Sequence, residues 1–241
     1  MTNSLEDRPE LPFGLTDRDQ IPNYFAWLAG LVRPHIRGRI LDHGAGTGAL
    51  SQALLQTGMA PLVALEPDPT LAGVLGRKFG TRADVEVFHG TIEDYAARAG
   101  TESLGAIVSS NVLEHIHDDD GCLRAMWRCI EPGGAVVIYV PARQELFGSL
   151  DEAVGHLRRY SRSGLAAKLA RAGFEVEHLS YRNLVGVLPW LLAGRVLRRT
   201  ALTSQNVKFF DRIVFPIGRH LEDLLRRPYG LSVLAVARKR R

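Results

Sequence analysis

Cysteine is scarce in this sequence: only Cys122 and Cys129 occur among its 241 residues. On one helix, a separation of seven residues places two side chains about 10 Å apart, too far for a disulfide. We therefore expect two buried, reduced thiols, which suit a cytoplasmic protein. The N-terminus has no basic segment followed by an apolar one, so no secretory signal is predicted there.

Long apolar runs and lysines are also missing. No stretch reaches the roughly 18 apolar residues that suggest a membrane-spanning helix. Of the 30 basic residues only four are lysines, and the net charge is +4. The arginines concentrate at 195–199 and 238–241, which we interpret as solvated surface, so no nucleic-acid partner is expected.

Strand and helix patterns alternate after a first amphipathic helix predicted at 24–34. Apolar strands separated by helices predict a parallel sheet covered on both faces, an α/β fold. The predicted strands are 39–43, 62–67, 85–90, 105–111, 135–141, 174–181 and 230–239. The predicted helices between them are 48–57, 68–79, 92–99, 118–130 and one that begins at Ser161 or Ser163 and ends at Gly173.

No linker or repeat divides the chain, so we expect a single domain, 1–241, with an N-terminal arm and helix at 1–36. The last two strands are separated by an insert at about 182–229, with helices predicted at 183–198 and 207–226. A connection of that length is too long for a turn and is usually functional. We expect it to act as a lid.

The insert also carries an apolar stripe flanked by arginines. Its members are Val185, Leu188, Leu191, Leu192 and Val196, with Trp190 among them. The stripe fits a lid over the site or the face of a homodimer. Contact with a membrane surface is possible but less favoured, and a monomer remains open.

The segment Ile40–Leu55 reads ILDHGAGTGALSQALL and places three glycines between a strand and a helix. In open α/β sheets, ligands bind beyond the carboxyl ends of the strands. The fingerprint of nicotinamide-dependent enzymes, G-x-G-x-x-G, is one residue longer than the G-x-G-x-G found here, and it binds a pyrophosphate. The carboxylate of Asp42 would repel a pyrophosphate and suits a ligand with a positive charge. The pattern therefore argues against an oxidoreductase.

ILDHGAGTG resembles the first motif of class I S-adenosylmethionine-dependent methyltransferases. Four later segments resemble further motifs in order: ALEPDP, HGTIEDY, IVSSNVLEHIHDD and EPGGAVVIYVP. The resemblance covers about residues 20–180 and the final strand. It implies a Rossmann-like, doubly wound, seven-stranded sheet, mostly parallel with an antiparallel last strand. It also implies S-adenosyl-L-methionine as cofactor and S-adenosyl-L-homocysteine as product.

GHLRRYSRSGL resembles a subgroup of these enzymes that has a GHxRRY block after the fifth strand. The Asn-Tyr-Phe segment at Asn23–Phe25 also fits this subgroup. Within the family resemblance, Glu66 would hold both ribose hydroxyls, because a carboxylate accepts two donors at once. Tyr24 closes over the methionine part or is simply a core aromatic. The expected cofactor residues are Tyr24, Asp42, Gly44, Ala45, Gly46, Glu66, Pro67, Thr91, Ile92, Asp94, Ser110 and Asn111.

Methyl transfer from a sulfonium is an in-line displacement, which requires the nucleophile at about 3 Å from the methyl carbon. His115 and His156 are the candidate bases, since histidine titrates near neutrality. Asn111 completes the catalytic set. The alternative for each histidine is a purely structural role. The alternative for Asn111 is that it caps the end of its strand.

Arg159, Tyr160 and Trp190 are expected at the substrate. The alternative for the first two is that they hold the lid by pairing with Asp151 and Glu152.

No metal is expected, although His115, His117, Asp118 and Asp119 lie close in sequence, because the two aspartates are explained as charges at a helix start. We therefore expect a methyltransferase acting on a small acceptor, hydrophobic or lipid-like. A protein or nucleic-acid methyltransferase and a non-catalytic cofactor-binding subunit remain alternatives.

Overall fold

The computed structural model describes residues 21–224 and 229–240. Seven strands form one sheet in the order β3-β2-β1-β4-β5-β7-β6. They are β1 (Ile40–His43), β2 (Leu62–Glu66), β3 (Val85–His89), β4 (Leu104–Ser110), β5 (Ile130–Pro141), β6 (Phe174–Arg182) and β7 (Ser232–Lys239). The first five strands pair in parallel, and β7 runs antiparallel to both its neighbours. This confirms the predicted fold class.

Helices cover both faces of the sheet. They are α1 (Pro22–Val32), α2 (Ala49–Gln56), α3 (Pro69–Phe79), α4 (Ile92–Ala99), α5 (Asp119–Cys129), α6 (Ser149–Ala153), α7 (Arg162–Arg171), α8 (Val187–Leu191), α9 (Ser204–Phe209) and α10 (Phe215–Leu224). One buried cluster joins the sheet to α4, α5 and α7, and a second joins it to α1, α2 and α3. The predicted arm before residue 21 lies outside the described residues.

The order of the strands reverses at β1, which pairs with β2 on one side and β4 on the other. The loops that follow β1 and β4 therefore leave the sheet in opposite directions and leave a crevice between them. The glycine segment and the IVSSNVLEH segment both begin at this edge, as the sequence predicts.

The two cysteines lie buried and unbridged on α5. Burial raises the pKa of the Cys129 thiol to about 11, and burial also raises the pKa of Cys122. Neither thiol is therefore a nucleophile at neutral pH, and the expectation of two reduced, buried thiols is confirmed.

β5 begins earlier than the predicted 135–141. Its pairing with β4 shifts from Leu104–Ile130 to Ala106–Ala135, so residues 131–134 form a bulge. The sequence EPGG indicates a turn, and the structure uses it to interrupt the strand instead. α6 is also absent from the predicted elements, because five residues are too few for a clear helical period.

The insert begins with a turn at Leu184–Gly186 and α8, which continues as a π-helical segment, Leu192–Val196. α9 begins three residues before the predicted 207, because the Thr203 hydroxyl accepts from the backbone N–H of Asn206 and caps the helix. Within residues 21–224 and 229–240, the helices are too short or too polar to cross a bilayer.

Candidate active site

The glycine loop after β1 packs tightly against the loop after β4. Gly44 has a φ of +68°, and a Cβ at this position would lie 2.6 Å from a methyl of Val112. Only glycine combines this backbone conformation with so close an approach. The N–H of Ala45 donates to the carbonyl of Leu65 at 2.9 Å, which fixes the loop to the end of β2.

A small cavity lies between this loop, α2 and α1. Its lining is Phe25, Asp42, Gly44, Ala45, Ala49, Leu50 and Ser110. Asp42, Gly44, Ala45 and Ser110 are among the predicted cofactor residues, and the structure brings them together.

Phe25, rather than Tyr24, faces this cavity from α1. The Tyr24 ring packs 5.5 Å from Phe215 and 6.2 Å from Tyr139. One residue along a helix turns the side chain by about 100°, so the Asn-Tyr-Phe motif points to the helix but not to the side chain that lines the site. This arrangement favours the core-aromatic alternative for Tyr24, and its cofactor contact stays a prediction.

Glu66 lies at the carboxyl end of β2 and is buried, with 6% of its surface exposed. One carboxylate oxygen accepts from the N–H of Gly46 at 2.8 Å, and the other accepts from the N–H of Asp68 at 3.0 Å. A carboxylate has about four acceptor sites. Two therefore remain for a pair of hydroxyl donors such as a ribose diol.

The predicted adenine segment begins α4. Thr91 and Asp94 cap this helix reciprocally, and hydrogen bonds from the Thr91 backbone and hydroxyl lower the pKa of Asp94. Ile92 is buried in the core. At the end of β3, Nε2 of His89 lies 3.2 Å from the carbonyl of Pro67, which follows β2. These contacts hold the segment beside β2, and its contact with adenine stays a prediction.

Asn111 follows β4 in the left-handed conformation, with a φ of +53°. Asparagine tolerates this conformation better than most residues. Its N–H donates to the carbonyl of Tyr139, and its side-chain amide donates to the Ser110 hydroxyl at 3.3 Å. The bend at Asn111 turns the chain out of the sheet into a short helical turn, Leu113–His115.

The GHLRRY block is organised around Asp151, which the sequence indicates only as an alternative partner of Arg159 and Tyr160. Arg159 donates from Nε and a terminal nitrogen to both Asp151 oxygens, at 2.9 and 3.0 Å. Nδ1 of His156 lies 2.8 Å from the same carboxylate, and the Trp190 indole N–H donates to it at 3.2 Å. Burial opposes the charge, but the contacts with His156 and Arg159 outweigh it and lower the pKa of Asp151.

Tyr160 joins the block to the loop after β4. Its hydroxyl donates to Asp119 at 2.8 Å and lies 3.1 Å from the carbonyl of Leu113. Burial and the Asp119 carboxylate raise the pKa of Tyr160. Arg159 and Tyr160 are both buried and bound to acids of the protein, which favours the alternative that they hold this segment; their contact with substrate stays a prediction.

The two candidate bases lie beside each other, with ring centroids 4.8 Å apart. Nδ1 of His115 lies 3.2 Å from the carbonyl of Gly155, while Nδ1 of His156 faces Asp151. We assign the proton of each neutral ring to Nδ1, because each faces an oxygen acceptor. Nε2 of His156 then points towards the buried Glu114 carboxylate, 3.7 Å away.

Glu114, His115 and His156 also form a set of potential metal ligands, with one donor atom from each within 4.8 Å of the others. This set differs from the one considered in the sequence. Asp118 caps α5 by accepting from Gly121 at 2.8 Å, and Asp119 accepts from Lys168 at 2.7 Å. The two aspartates therefore serve the helix start, as expected.

Comparison with known proteins agrees with this geometry. The methyltransferase domain family matches residues 19–179. A ubiquinone biosynthesis O-methyltransferase of Xanthomonas oryzae pv. oryzae is 30% identical over 179 residues, which cover 67% of this chain and 72% of the relative.

Solved structures share the fold. The S-adenosylmethionine-dependent methyltransferase of Mesorhizobium loti superposes with a TM-score of 0.61 at 15% identity, over 92% of this chain and 100% of that chain. The corresponding enzyme of Archaeoglobus fulgidus gives 0.59 at 16% identity, over 89% and 94%. The matched family region ends at residue 179 and leaves the insert outside it.

Proposed function

The chain belongs to the class I S-adenosylmethionine-dependent methyltransferases, and on that premise we propose that it methylates a hydroxyl group of a small, largely apolar acceptor. The observation that carries the proposal is the Asp151–His156 pair at 2.8 Å. A hydroxyl must lose its proton during transfer, and an oriented imidazole is suited to accept it. The resemblance to an O-methyltransferase supports the same acceptor atom.

The cofactor residues fit the group that the family implies. The two remaining acceptor sites of Glu66 suit the ribose hydroxyls, and the glycine loop allows close approach of the backbone. Ser110 and Asn111 lie at the end of the neighbouring strand β4, where they would line the methyl side of the cofactor. When bound, S-adenosylmethionine supplies an activated methyl group on a sulfonium.

We assign to His156 the role of base, which removes the proton from the hydroxyl group of the acceptor. Asp151 holds the ring through Nδ1, and Nε2, which lies 3.7 Å from the Glu114 carboxylate, is the nitrogen that would accept the hydroxyl proton. The carboxylates of Asp151 and Glu114 then offset the positive charge of the ring. Positioning of the nucleophile in line with the methyl group supplies a large further part of the rate.

The insert borders the Asp151–His156 pair, and its side chains are the reason for proposing an apolar acceptor. Trp190 of α8 donates to Asp151, and its ring lies 5.1 Å from the Arg159 guanidinium. An aromatic side chain at this position offers an apolar wall beside the base. Trp190 therefore remains the strongest of the predicted substrate contacts.

The test begins with calorimetric titration of the purified protein with S-adenosylhomocysteine, with NAD in parallel. Micromolar binding of the first alone supports the cofactor assignment. Transfer of labelled methyl to a panel of phenols, aliphatic alcohols and amines of matched size then tests the acceptor. Exclusive transfer to amines would contradict the proposal of a hydroxyl acceptor.

A further inference from the structure

The insert exposes two apolar ridges on its outer surface. Seven of the eight exposed large hydrophobic side chains in the described residues belong to the insert. Six of them form two series with a spacing of four residues, which places each series along one side of a helix. The first helix is α8 with its π-helical continuation, and it carries Leu188, Leu192 and Val196, with exposures of 61%, 45% and 64%. The second helix runs through α9, the π-helical segment Phe210–Val214 and α10, and it carries Phe209, Ile213 and Ile217, with exposures of 61%, 50% and 63%.

The opposite sides of these helices pack on the rest of the protein. Ala193 and Gly194 are buried against α6, where the Ser149 hydroxyl donates to the carbonyl of Gly194 at 2.9 Å. Asp211 and Phe215 are buried against α1. The inner sides therefore account for how the insert is held, and the ridges are not needed for it.

The beginning of the insert contacts its second helix at Gly218. Gly218 lies against Val185, so closely that a Cβ on the glycine would stand 2.1 Å from a Val185 methyl. Leu188 lies three residues after Val185, and Ile217 is the neighbour of Gly218. One end of each ridge therefore lies near this contact, and the two ridges together are named here the ridge surface.

The insert that carries the ridge surface is rich in positive charge. Residues 182–229 contain nine basic residues and three acids. One of the acids, Asp211, is 1% exposed and bound to α1. The basic residues are Arg182, Arg195, Arg198, Arg199, Lys208, Arg212, Arg219, Arg226 and Arg227.

We propose that the ridge surface docks on an anionic lipid bilayer and lies in its interface. Exposed apolar side chains in a basic segment are the pattern of interfacial helices, whose apolar sides enter the acyl boundary while the arginines remain at the headgroups. A symmetric dimer through the same surface would bring two basic inserts together. Charge complementarity therefore favours lipid over a second copy.

α8 connects the ridge surface with the Asp151–His156 pair. Trp190, between Leu188 and Leu192 in sequence, reaches inward to Asp151. One helix thus contacts the lipid with one side and the catalytic segment with the other. The docking surface stands independently of the acceptor assignment, because it rests on exposure and charge alone.

The experiment is co-sedimentation of the full chain with vesicles of phosphatidylcholine, with and without phosphatidylglycerol, at low and high salt. We expect binding to the anionic vesicles, weakened by salt, and little binding to pure phosphatidylcholine. Leu192→Asp and Ile213→Asp, one in each ridge, should each weaken binding by about tenfold or more, since burial of one leucine-sized side chain is worth that much. Their thermal unfolding should remain close to that of the unchanged protein.

Leu157→Asp is the matched control, because Leu157 is an exposed hydrophobic residue outside the insert, at 39%. It should leave vesicle binding unchanged. Absence of binding to anionic vesicles overturns the proposal. Sedimentation velocity of the lipid-free protein gives the second decisive result: a dimer that Leu192→Asp dissociates would assign the ridge surface to a second copy and overturn it as well.

Discussion

Asp211 accepts the backbone N–H of Tyr24 at 2.9 Å, although the two residues are separated by 187 positions. The same carboxylate accepts the N–H of Asn23 at 3.2 Å. These N–H groups belong to the first turn of α1, whose own preceding residue, Ile21, provides no side-chain cap. A carboxylate from the insert therefore caps the helix that covers the glycine loop.

We predict that Asp211→Ala lowers the free energy of unfolding by about 1–3 kcal/mol, because it removes the charged acceptor of two N–H groups in the first turn of α1. Urea unfolding measures this loss. Limited proteolysis should also cut the insert faster, since its second helix is held to α1 by this contact.

Asp118→Ala is the control for that change, because Asp118 caps α5 through one exposed hydrogen bond. Its effect should be smaller. Equal stability and equal proteolysis of the Asp211 variant and the unchanged protein would show that the cap does not hold the insert.

The sequence predicts the sheet well because its strands are continuous apolar runs, and it predicts the glycine loop because four further motifs follow it in the order of the family. Contacts between distant segments leave no such local pattern. Asp211 sits in a helix like any surface acid, and nothing beside it in the sequence indicates α1. The pairing of Arg159 with Asp151 is one of the alternatives stated from the sequence, but the contacts of His156 and Trp190 with the same carboxylate are not.

The Glu66 assignment predicts a loss of cofactor affinity. Glu66→Ala should weaken binding of S-adenosylhomocysteine by about 1–3 kcal/mol, the range for a lost hydrogen bond to a charged group. Calorimetric titration measures it. Glu86→Ala, which changes a half-buried acid on the adjacent strand β3, is the control and should leave affinity unchanged. Unchanged affinity in Glu66→Ala would remove Glu66 from the site.

The base assignment predicts a change in rate without a change in cofactor affinity. His156→Ala should lower kcat by about 100-fold or more and flatten the pH–rate profile, because general-base catalysis is typically worth that factor. Asp151→Asn should lower kcat less and shift the profile, since it leaves the ring present but alters its orientation.

His117→Ala is the control, because His117 lies two residues from His115 in the loop after β4 but is not a candidate base, and it should retain the normal rate. His115→Ala separates the two histidines. If the rate falls in His115→Ala and not in His156→Ala, His115 is the base. Full activity in both variants would leave positioning alone as the source of the rate.

The convergence of Glu114, His115 and His156 predicts inhibition by transition-metal ions. Two imidazoles and a carboxylate within 4.8 Å suit Zn²⁺ or Ni²⁺. Either ion should inhibit transfer, because it occupies the nitrogen that accepts the proton, and a chelator should restore the rate. In His115→Ala the inhibition should weaken. Loss of activity on chelation of the untreated enzyme would instead make these residues an essential metal centre and exclude His156 as the base.

His43 predicts how stability depends on pH. It ends β1, with Nδ1 3.1 Å from the Ser109 hydroxyl, and burial lowers its pKa from 6.5 to about 4. Between these two values the unfolded chain binds a proton that the folded protein does not, so stability falls as the pH is lowered. The shift corresponds to about 3 kcal/mol. Urea unfolding of the protein and of His43→Gln, at neutral pH and at pH 4–5, isolates this contribution. The variant should lose less stability on acidification, and equal losses would show that His43 is not the group responsible.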